Sequence, residues 1–184
     1  MRLIGLHGPA RCGKDTVGAI LARHNFSLLA FATPLKDMLI TGFGLTREQV
    51  DGAKKEEIID WIGRSPRELM QTLGTEWGRG LVGRYIWLKH AERRLALYRT
   101  WAENVVITDL RFANEAAWVR VQDGVIWHIT GRDSSGAVRA DHPSEAGLRV
   151  VPGDIVIRND GSLADLEDAR VLALSGIGGW ATCL

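Results

Sequence analysis

Gly8-Pro9-Ala10-Arg11-Cys12-Gly13-Lys14-Asp15-Thr16 reads G-x-x-x-x-G-K followed by Asp-Thr. It stands between an apolar run, Leu3 to Leu6, and a helical stretch from Lys14 to about Arg23. A buried strand, a glycine turn and a helix in that order form the setting in which such a loop binds phosphate. Gly8 and Gly13 let backbone N–H groups turn toward phosphate oxygens, and the helix N-terminus adds favourable partial charge. Lys14 brings a positive charge to the β- and γ-phosphates.

Working outward from that loop, strand and helix signals alternate. Phe26 to Phe31 is a second predicted strand. Pro34 opens a helix carrying Leu35, Met38 and Leu39 that stops near Gly42. Residues 45 to 100 read as helical throughout, with breaks at Gly52, Gly63 and Gly83. Within them Ser65-Pro66-Arg67-Glu68 is a strong helix start: a capping serine, proline at the first position and an acid in the first turn. Leu69, Leu73 and Trp77 then share one face at a spacing of four. Val105 to Asp109 is a β-branched run ending on an acid, Gly124 to Ile129 and Asp154 to Ile157 are further strands, and 114–122 and 162–174 are helices. Alternating strands and helices predict an α/β fold with a mostly parallel, five-stranded sheet covered on both faces. Arg132 to His142 is rich in Gly, Ser, Arg and Asp and is expected to be a mobile excursion.

The bulk properties set limits. The 184 residues suit a single domain, and 46% apolar with 24% charged residues is ordinary for a globular protein. A net charge of +1 argues against a chain that lives on nucleic acid through bulk electrostatics. The two cysteines, Cys12 and Cys183, form no disulfide framework, which fits a reducing compartment. The N-terminal apolar run is too short for a secretory leader, and no stretch reaches the roughly 20 apolar residues of a membrane span. A cytoplasmic protein without membrane contact is expected. The five histidines show no metal-ligand spacing, and His90 and His128 stand isolated in sequence.

Asp15 occupies the position after Lys14 where Ser or Thr is usual, and Thr16 follows. Asp15 either holds Mg²⁺, directly or through water, or stabilises the helix N-terminus. Asp109 ends its strand where a metal-orienting acid is often found, with a helix cap or a pair to Arg111 as the alternative. Trp77 and Trp87 offer rings for base stacking, although most of the seven tryptophans must be core. Gln71 lies one turn after Arg67, where its amide either meets a base edge or sugar or lies on the helix surface.

Four further segments narrow the chemistry. They are G-x-x-R-x-G-K-D-T at 8–16, Phe31-Ala32-Thr33-Pro34-Leu35-Lys36, Arg67 to Arg79 with its Leu-Gly-Thr-Glu core, and Thr108-Asp109-Leu110-Arg111-Phe112-Ala113-Asn114-Glu115-Ala116. With Asp141-His142-Pro143-Ser144-Glu145 and Asn159-Asp160-Gly161-Ser162-Leu163, they resemble the bacteriophage-type deoxynucleoside monophosphate kinases, from Met1 to about Leu172. Thr33 stands where many relatives prefer an acid, and the tail Gly176 to Trp180 has no counterpart.

The resemblance implies a three-layer P-loop sandwich with a helical monophosphate-binding insertion at about 34–100 and a lid at about 132–145. It implies transfer of the ATP γ-phosphoryl group to a deoxynucleoside 5'-monophosphate, with Mg²⁺. Lys14, Arg11, Arg111 and the lid residue Arg132 would be catalytic. Gly8, Gly13, Lys14, Asp15, Thr16, Asn159 and Asp160 would bind ATP, the last two near adenine unless they only form a turn into the Ser162 helix. Lys36, Arg67, Gln71 and Trp87 would hold the monophosphate, Arg67 because a guanidinium suits phosphate bidentately. Asp15, Thr16 and Asp109 would serve Mg²⁺. No stable nucleic-acid complex is expected, and a homodimer is left open. Rivals are a small-molecule kinase of the same fold, acting on dephospho-coenzyme A or phosphomevalonate, and a nucleotide-sensing module without chemistry. The Arg67-to-Arg79 segment disfavours the first, since it resembles a monophosphate clamp.

Overall fold

Five short apolar runs become one parallel sheet, in the order β2-β3-β1-β4-β5. They are β1 Leu3–His7, β2 Phe26–Leu29, β3 Asn104–Ile107, β4 Val125–Thr130 and β5 Ile155–Arg158. The computed structural model describes residues 1–131 and 147–175. Helices are α1 Lys14–Arg23, α2 Thr33–Phe43, α3 Arg47–Val50, α4 Pro66–Gln71, α5 Ile86–Thr100, α6 Ala113–Val121 and α7 Leu163–Ser175. A 3₁₀ turn, Ala53–Glu56, and a π-helix, Thr72–Val82, complete the order.

The described chain falls into two compact units: residues 1–30 with those from 94 onward, and residues 31–93. In the first unit the central strand β1 explains the layering. Its even positions, Ile4 and Leu6, join Val17, Ile20 and Leu21 of α1 and Leu166 and Ala169 of α7 in one core. On the odd side, Gly5 lies against Leu110 and against Val119 of α6. A period of two along a strand buried on both faces therefore separates two helix layers. Trp127, Ile129, Val106 and Ile157 extend the α1–α7 side, and burying each such side chain contributes roughly 1.5–3 kcal/mol. Because every pairing is parallel, all strands deliver their carboxyl ends to one edge, where ligands bind in open α/β sheets.

The second unit is built on its own core of Leu39, Leu45, Val50 and Ile59, with Leu69, Met70 and Leu73 packed against it. Residues 45–100, expected as helix with brief breaks, are less regular. Ile59 and Arg64 form an antiparallel bridge in a turn. Ser65 caps α4 as its sequence predicts, accepting from the Glu68 N–H, while the Glu68 carboxylate accepts from the Ser65 N–H. The α-helix ends at Gln71 and widens into the π-helix. Wider turns move the buried stripe onto Gly74 and Gly78, and Trp77, expected on the Leu69–Leu73 face, is exposed. At Gly78 a Cβ would overlap the Trp87 ring, so no larger residue fits there. The Trp87 Nε1–H donates to the Gly74 carbonyl at 2.7 Å, supplying a partner beside the altered helix ladder. In the first unit β2 ends at Leu29, two residues before the expected Phe31.

Candidate functional site

The carboxyl edge of the sheet gathers the donor-side residues of the first unit. The loop leaves β1 at Gly8 and enters α1 at Lys14. Gly13, at φ 99, occupies the cap position, and the side chain of Asn159 lies where its Cβ would be. Only glycine satisfies both conditions there. Cys12 is fully buried and joins the sheet core, pinning the floor of the loop. Arg11 is exposed with a left-handed backbone, φ 64, an unusual conformation for a residue other than glycine. Lys14 folds back over the loop, its Nζ donating to the carbonyls of Gly8 at 2.8 Å and Pro9 at 2.6 Å, with the Cys12 Sγ at 3.8 Å. A phosphate arriving over the loop would exchange for these carbonyls. Asp15 and Thr16 are exposed in the first turn of α1.

Asp109 follows β3 and is half-buried, and Leu110 N–H donates to the Leu6 carbonyl at 3.2 Å, carrying the chain past the end of β1. Arg111 is exposed. The Glu115 carboxylate, almost fully buried, accepts from the N–H groups of Arg111 at 2.9 Å and Phe112 at 3.0 Å. The acid of the Asp-Leu-Arg-Phe-x-Asn-Glu segment thus fixes the turn that presents Arg111, a role visible in sequence as an acid three residues into a helix.

Asn159 follows β5 and is buried at 4% exposure. Its Nδ2–H donates to the Cys12 carbonyl at 2.9 Å. Sequence reasoning places it near adenine or in a turn; the structure turns its amide instead into the phosphate loop. Asp160 is exposed and pairs with Arg158 at 3.0 Å. Arg132 and the expected lid, 132–145, lie outside the described residues, as does the Gly176–Trp180 tail.

The acceptor candidates belong to the second unit. Lys36, on α2, pairs with Asp51 at 2.5 Å. Arg67, on α4, pairs through its Nε with Glu56 of the 3₁₀ turn at 2.5 Å. Gln71 is half-buried at the end of α4. Trp87 is the exception among these residues. At 6% exposure it has no free face for a base, and its indole N–H is taken by Gly74. Trp77, by contrast, is exposed, and its ring lies 6.4 Å from that of Trp87.

One cluster escaped sequence reasoning. His128, isolated in sequence, pairs directly with His7 across β1 and β4. The Nδ1 atoms of the two rings are 3.0 Å apart, and His128 Nε2 lies 3.0 Å from Asp154 Oδ2. Arg120 of α6 donates to both carboxylate oxygens of Asp154, at 3.3 and 2.7 Å. Burial, together with the charges of His128 and Lys14, outweighs the pull of Asp154 and pushes the His7 pKa down to about 4. Burial works against ionisation of Asp154, but its bonds from Arg120, Val151 and His128 hold its carboxyl below the usual range. The signal for this cluster was the β1–β4 register, which only a correct strand order supplies.

Among the described residues no helix is long and apolar enough to cross a membrane, and no group of three or more His, Cys, Asp or Glu could hold a metal ion. Asp15, Thr16 and Asp109 offer oxygen donors only, the kind Mg²⁺ prefers when phosphate and water complete its shell.

Comparison with known proteins identifies the family. The family model described as deoxynucleotide monophosphate kinase matches residues 53–169. A protein of Acanthamoeba polyphaga mimivirus named for the same activity is 33% identical over 180 residues, covering 90% of this chain and 92% of that protein. The deoxynucleoside-5'-monophosphate kinase of Escherichia phage T5 is 32% identical over 124 residues, covering 64% of this chain and 49% of that enzyme. Among solved structures, a sugar kinase from Janibacter sp. HTCC2649 superposes with a TM-score of 0.53 at 15% identity, covering 97% of this chain and 96% of that one. That likeness extends to the fold alone.

Proposed function

The chain belongs to the deoxynucleotide monophosphate kinase family, and from that premise we propose that it moves the γ-phosphoryl group of ATP to a deoxynucleoside 5'-monophosphate, with loop 8–16 holding the donor and residues of the second unit holding the acceptor. The observation that carries the donor half is Lys14 poised over the loop carbonyls at the start of α1, on the carboxyl edge of a parallel sheet.

Phosphoryl transfer of this kind is chiefly positioning and charge stabilisation. Lys14 leaves the Gly8 and Pro9 carbonyls to meet the β- and γ-phosphates, and the first N–H groups of α1 face the same anion. Arg11 adds a guanidinium beside the loop. Asn159 serves ATP through the backbone: by fixing the Cys12 carbonyl it keeps the adjacent N–H groups directed at phosphate. Arg111, presented by the Glu115-capped turn, and Arg132 neutralise charge that builds up on the transferring group. Mg²⁺ would offset the negative charge of the phosphates, and Asp15, Thr16 and Asp109 would be the residues that hold it, directly or through water.

On the acceptor side, Lys36 and Arg67 each rest against a carboxylate, Asp51 and Glu56. A phosphate dianion carries more charge than either carboxylate and accepts bidentately from Arg67, so it displaces these partly exposed pairs at modest cost. Gln71, a turn beyond Arg67, faces the sugar or base. Trp77 takes the stacking role, and Trp87 supports it from behind. The family match spans α4 and the π-helix, which supports a monophosphate acceptor over dephospho-coenzyme A or phosphomevalonate. The viral relatives favour work in a host cytoplasm.

The test is label transfer. With γ-labelled ATP, Mg²⁺ and a deoxynucleoside monophosphate, label should appear in the diphosphate, and chelation of Mg²⁺ should stop it. Label released only as inorganic phosphate would contradict the acceptor half.

A further inference from the structure

The largely buried cluster at the end of β1 has no part in the mechanism above, yet it ends one residue from Gly8. Its hydrogen-bond directions can be followed atom by atom. Leu148 N–H donates to His7 Nε2 at 3.2 Å. That nitrogen is therefore an unprotonated acceptor, and the neutral His7 ring carries its proton on Nδ1. The Nδ1–H donates to His128 Nδ1 at 3.0 Å, so the neutral His128 carries its proton on Nε2 and donates to Asp154 Oδ2 at 3.0 Å. Val151 N–H donates to the same oxygen at 3.0 Å, and Arg120 closes the chain from α6. Every polar atom of both rings is thereby used.

We propose that the chain Leu148–His7–His128–Asp154–Arg120 is a positioning device for the phosphate loop: it holds the end of β1, and with it Gly8, in register with segment 148–154, and it does so only while both imidazoles are neutral. The proposal rests on the assignment of loop 8–16 as the ATP site.

Balancing the protons shows why neutrality matters. A proton added to His7 can enter only at Nε2, the atom that accepts from Leu148. A proton added to His128 enters at Nδ1, which then donates to His7 Nδ1 and drives the His7 proton across to Nε2. Both routes end with an N–H facing the Leu148 N–H, and that bond is lost. The titratable and charged groups around His7 are His128 on β4, Lys14 on α1 and Asp154 before β5, with Arg120 of α6 behind Asp154. A charged His7 also repels Lys14, whose Nζ is held by the Gly8 carbonyl next to it. His7 and His128 are positioning residues here, since neither lies among the groups assigned to substrate.

Two substitutions separate the halves of the His7 ring. His7→Gln keeps an acceptor oxygen near Nε2 for Leu148 but takes up no proton. His7→Asn keeps a donor near Nδ1 for His128 and abandons Leu148, as protonation does. The experiment measures kcat from pH 4 to 8 at saturating ATP and deoxynucleoside monophosphate, each variant divided by the wild type so that substrate titration cancels. It is paired with ¹⁵N imidazole NMR of the wild type and circular dichroism of all three proteins. The ¹⁵N spectrum should show His7 protonated at Nδ1 and His128 at Nε2. His7→Asn should run about tenfold below wild type at pH 8, a loss typical of modest misplacement, with the gap narrowing toward pH 4, where wild-type His7 takes up its proton. His7→Gln should match wild type at pH 8 and exceed it only near pH 4. An Nε2–H tautomer for His7, or full kcat in folded His7→Asn at pH 8, would overturn the proposal. Absence of both turnover and ATP binding in the wild type would instead strike the ATP-site assignment and leave the tautomer result standing.

Discussion

Replacing Asn159 by alanine separates two accounts of one residue. Its side chain is buried at 4% exposure, and its Nδ2–H donates to the Cys12 carbonyl at 2.9 Å. Truncation strands that carbonyl inside the protein, and a buried acceptor left without its partner costs roughly 1–3 kcal/mol. For a chain of this length about 2 kcal/mol lowers Tm by roughly 4–8 °C. The functional consequence follows from what the bond holds. Released, the Cys12–Gly13 peptide no longer fixes the N–H groups at the head of α1, so the KM for ATP should rise and kcat should fall. Selectivity for ATP over GTP should stay as it was, because the amide does not face the base. Asn159→Asp should be worse at neutral pH, since it sets a carboxylate oxygen against a carbonyl oxygen. It should regain stability as the pH falls and the carboxyl protonates to become a donor. Differential scanning fluorimetry from pH 4 to 8, with initial rates on both nucleotides, tests all of this. An unshifted Tm with altered preference between ATP and GTP would refute the loop-anchor reasoning and return Asn159 to the adenine pocket.

Three other perturbations have expected outcomes. Lys14→Ala should lower kcat by about 10³ or more with the fold intact by circular dichroism, because the lysine acts on charge in the transition state; unchanged turnover would remove it from catalysis. Arg67→Ala should raise the KM for the monophosphate much more than that for ATP, and a selective loss of ATP affinity would mean that the acceptor site is misplaced. Stability should fall between pH 6.5 and about 4 through His7, whose pKa is pushed from 6.5 to about 4 on folding. The unfolded chain binds the proton first in that window, so stability is lost as the pH drops. The shift corresponds to at most about 3.4 kcal/mol, and partial exposure of the ring reduces it to about 2 kcal/mol. Urea melts across that range should show the slope for wild type and a shallower one for His7→Gln.

What sequence could and could not reveal has physical reasons. The strands and the loop were legible because a buried parallel strand is a run of Val, Ile and Leu, and because Gly8, Gly13 and Lys14 sit at fixed offsets. Ser65, Pro66 and Glu68 announced the start of α4 through local capping chemistry that needs no tertiary context. The π-helix was not legible: Leu69, Leu73 and Trp77 fit an α-helical stripe, and only packing of Trp87 on Gly74 and Gly78 distinguishes the wider turn. The same packing buries Trp87, which looked as suited to stacking as Trp77. Asn159 was singled out as a residue after the last strand, but the direction of its amide depends on Cys12, far away in sequence. The His7–His128 pair was hidden for the same reason, since the two rings meet only when β4 takes its place beside β1. For Lys36 and Arg67, sequence offered cations at expected positions, and the structure adds the carboxylates, Asp51 and Glu56, that hold them.

The most direct test of the central claim is ADP release from Mg-ATP against a panel of deoxy- and ribonucleoside monophosphates, with dephospho-coenzyme A and phosphomevalonate as controls. The account predicts turnover that depends on a deoxynucleoside monophosphate, with none on either control. ATP binding with no acceptor-dependent turnover on any member of the panel would contradict it and leave a nucleotide-sensing module in its place.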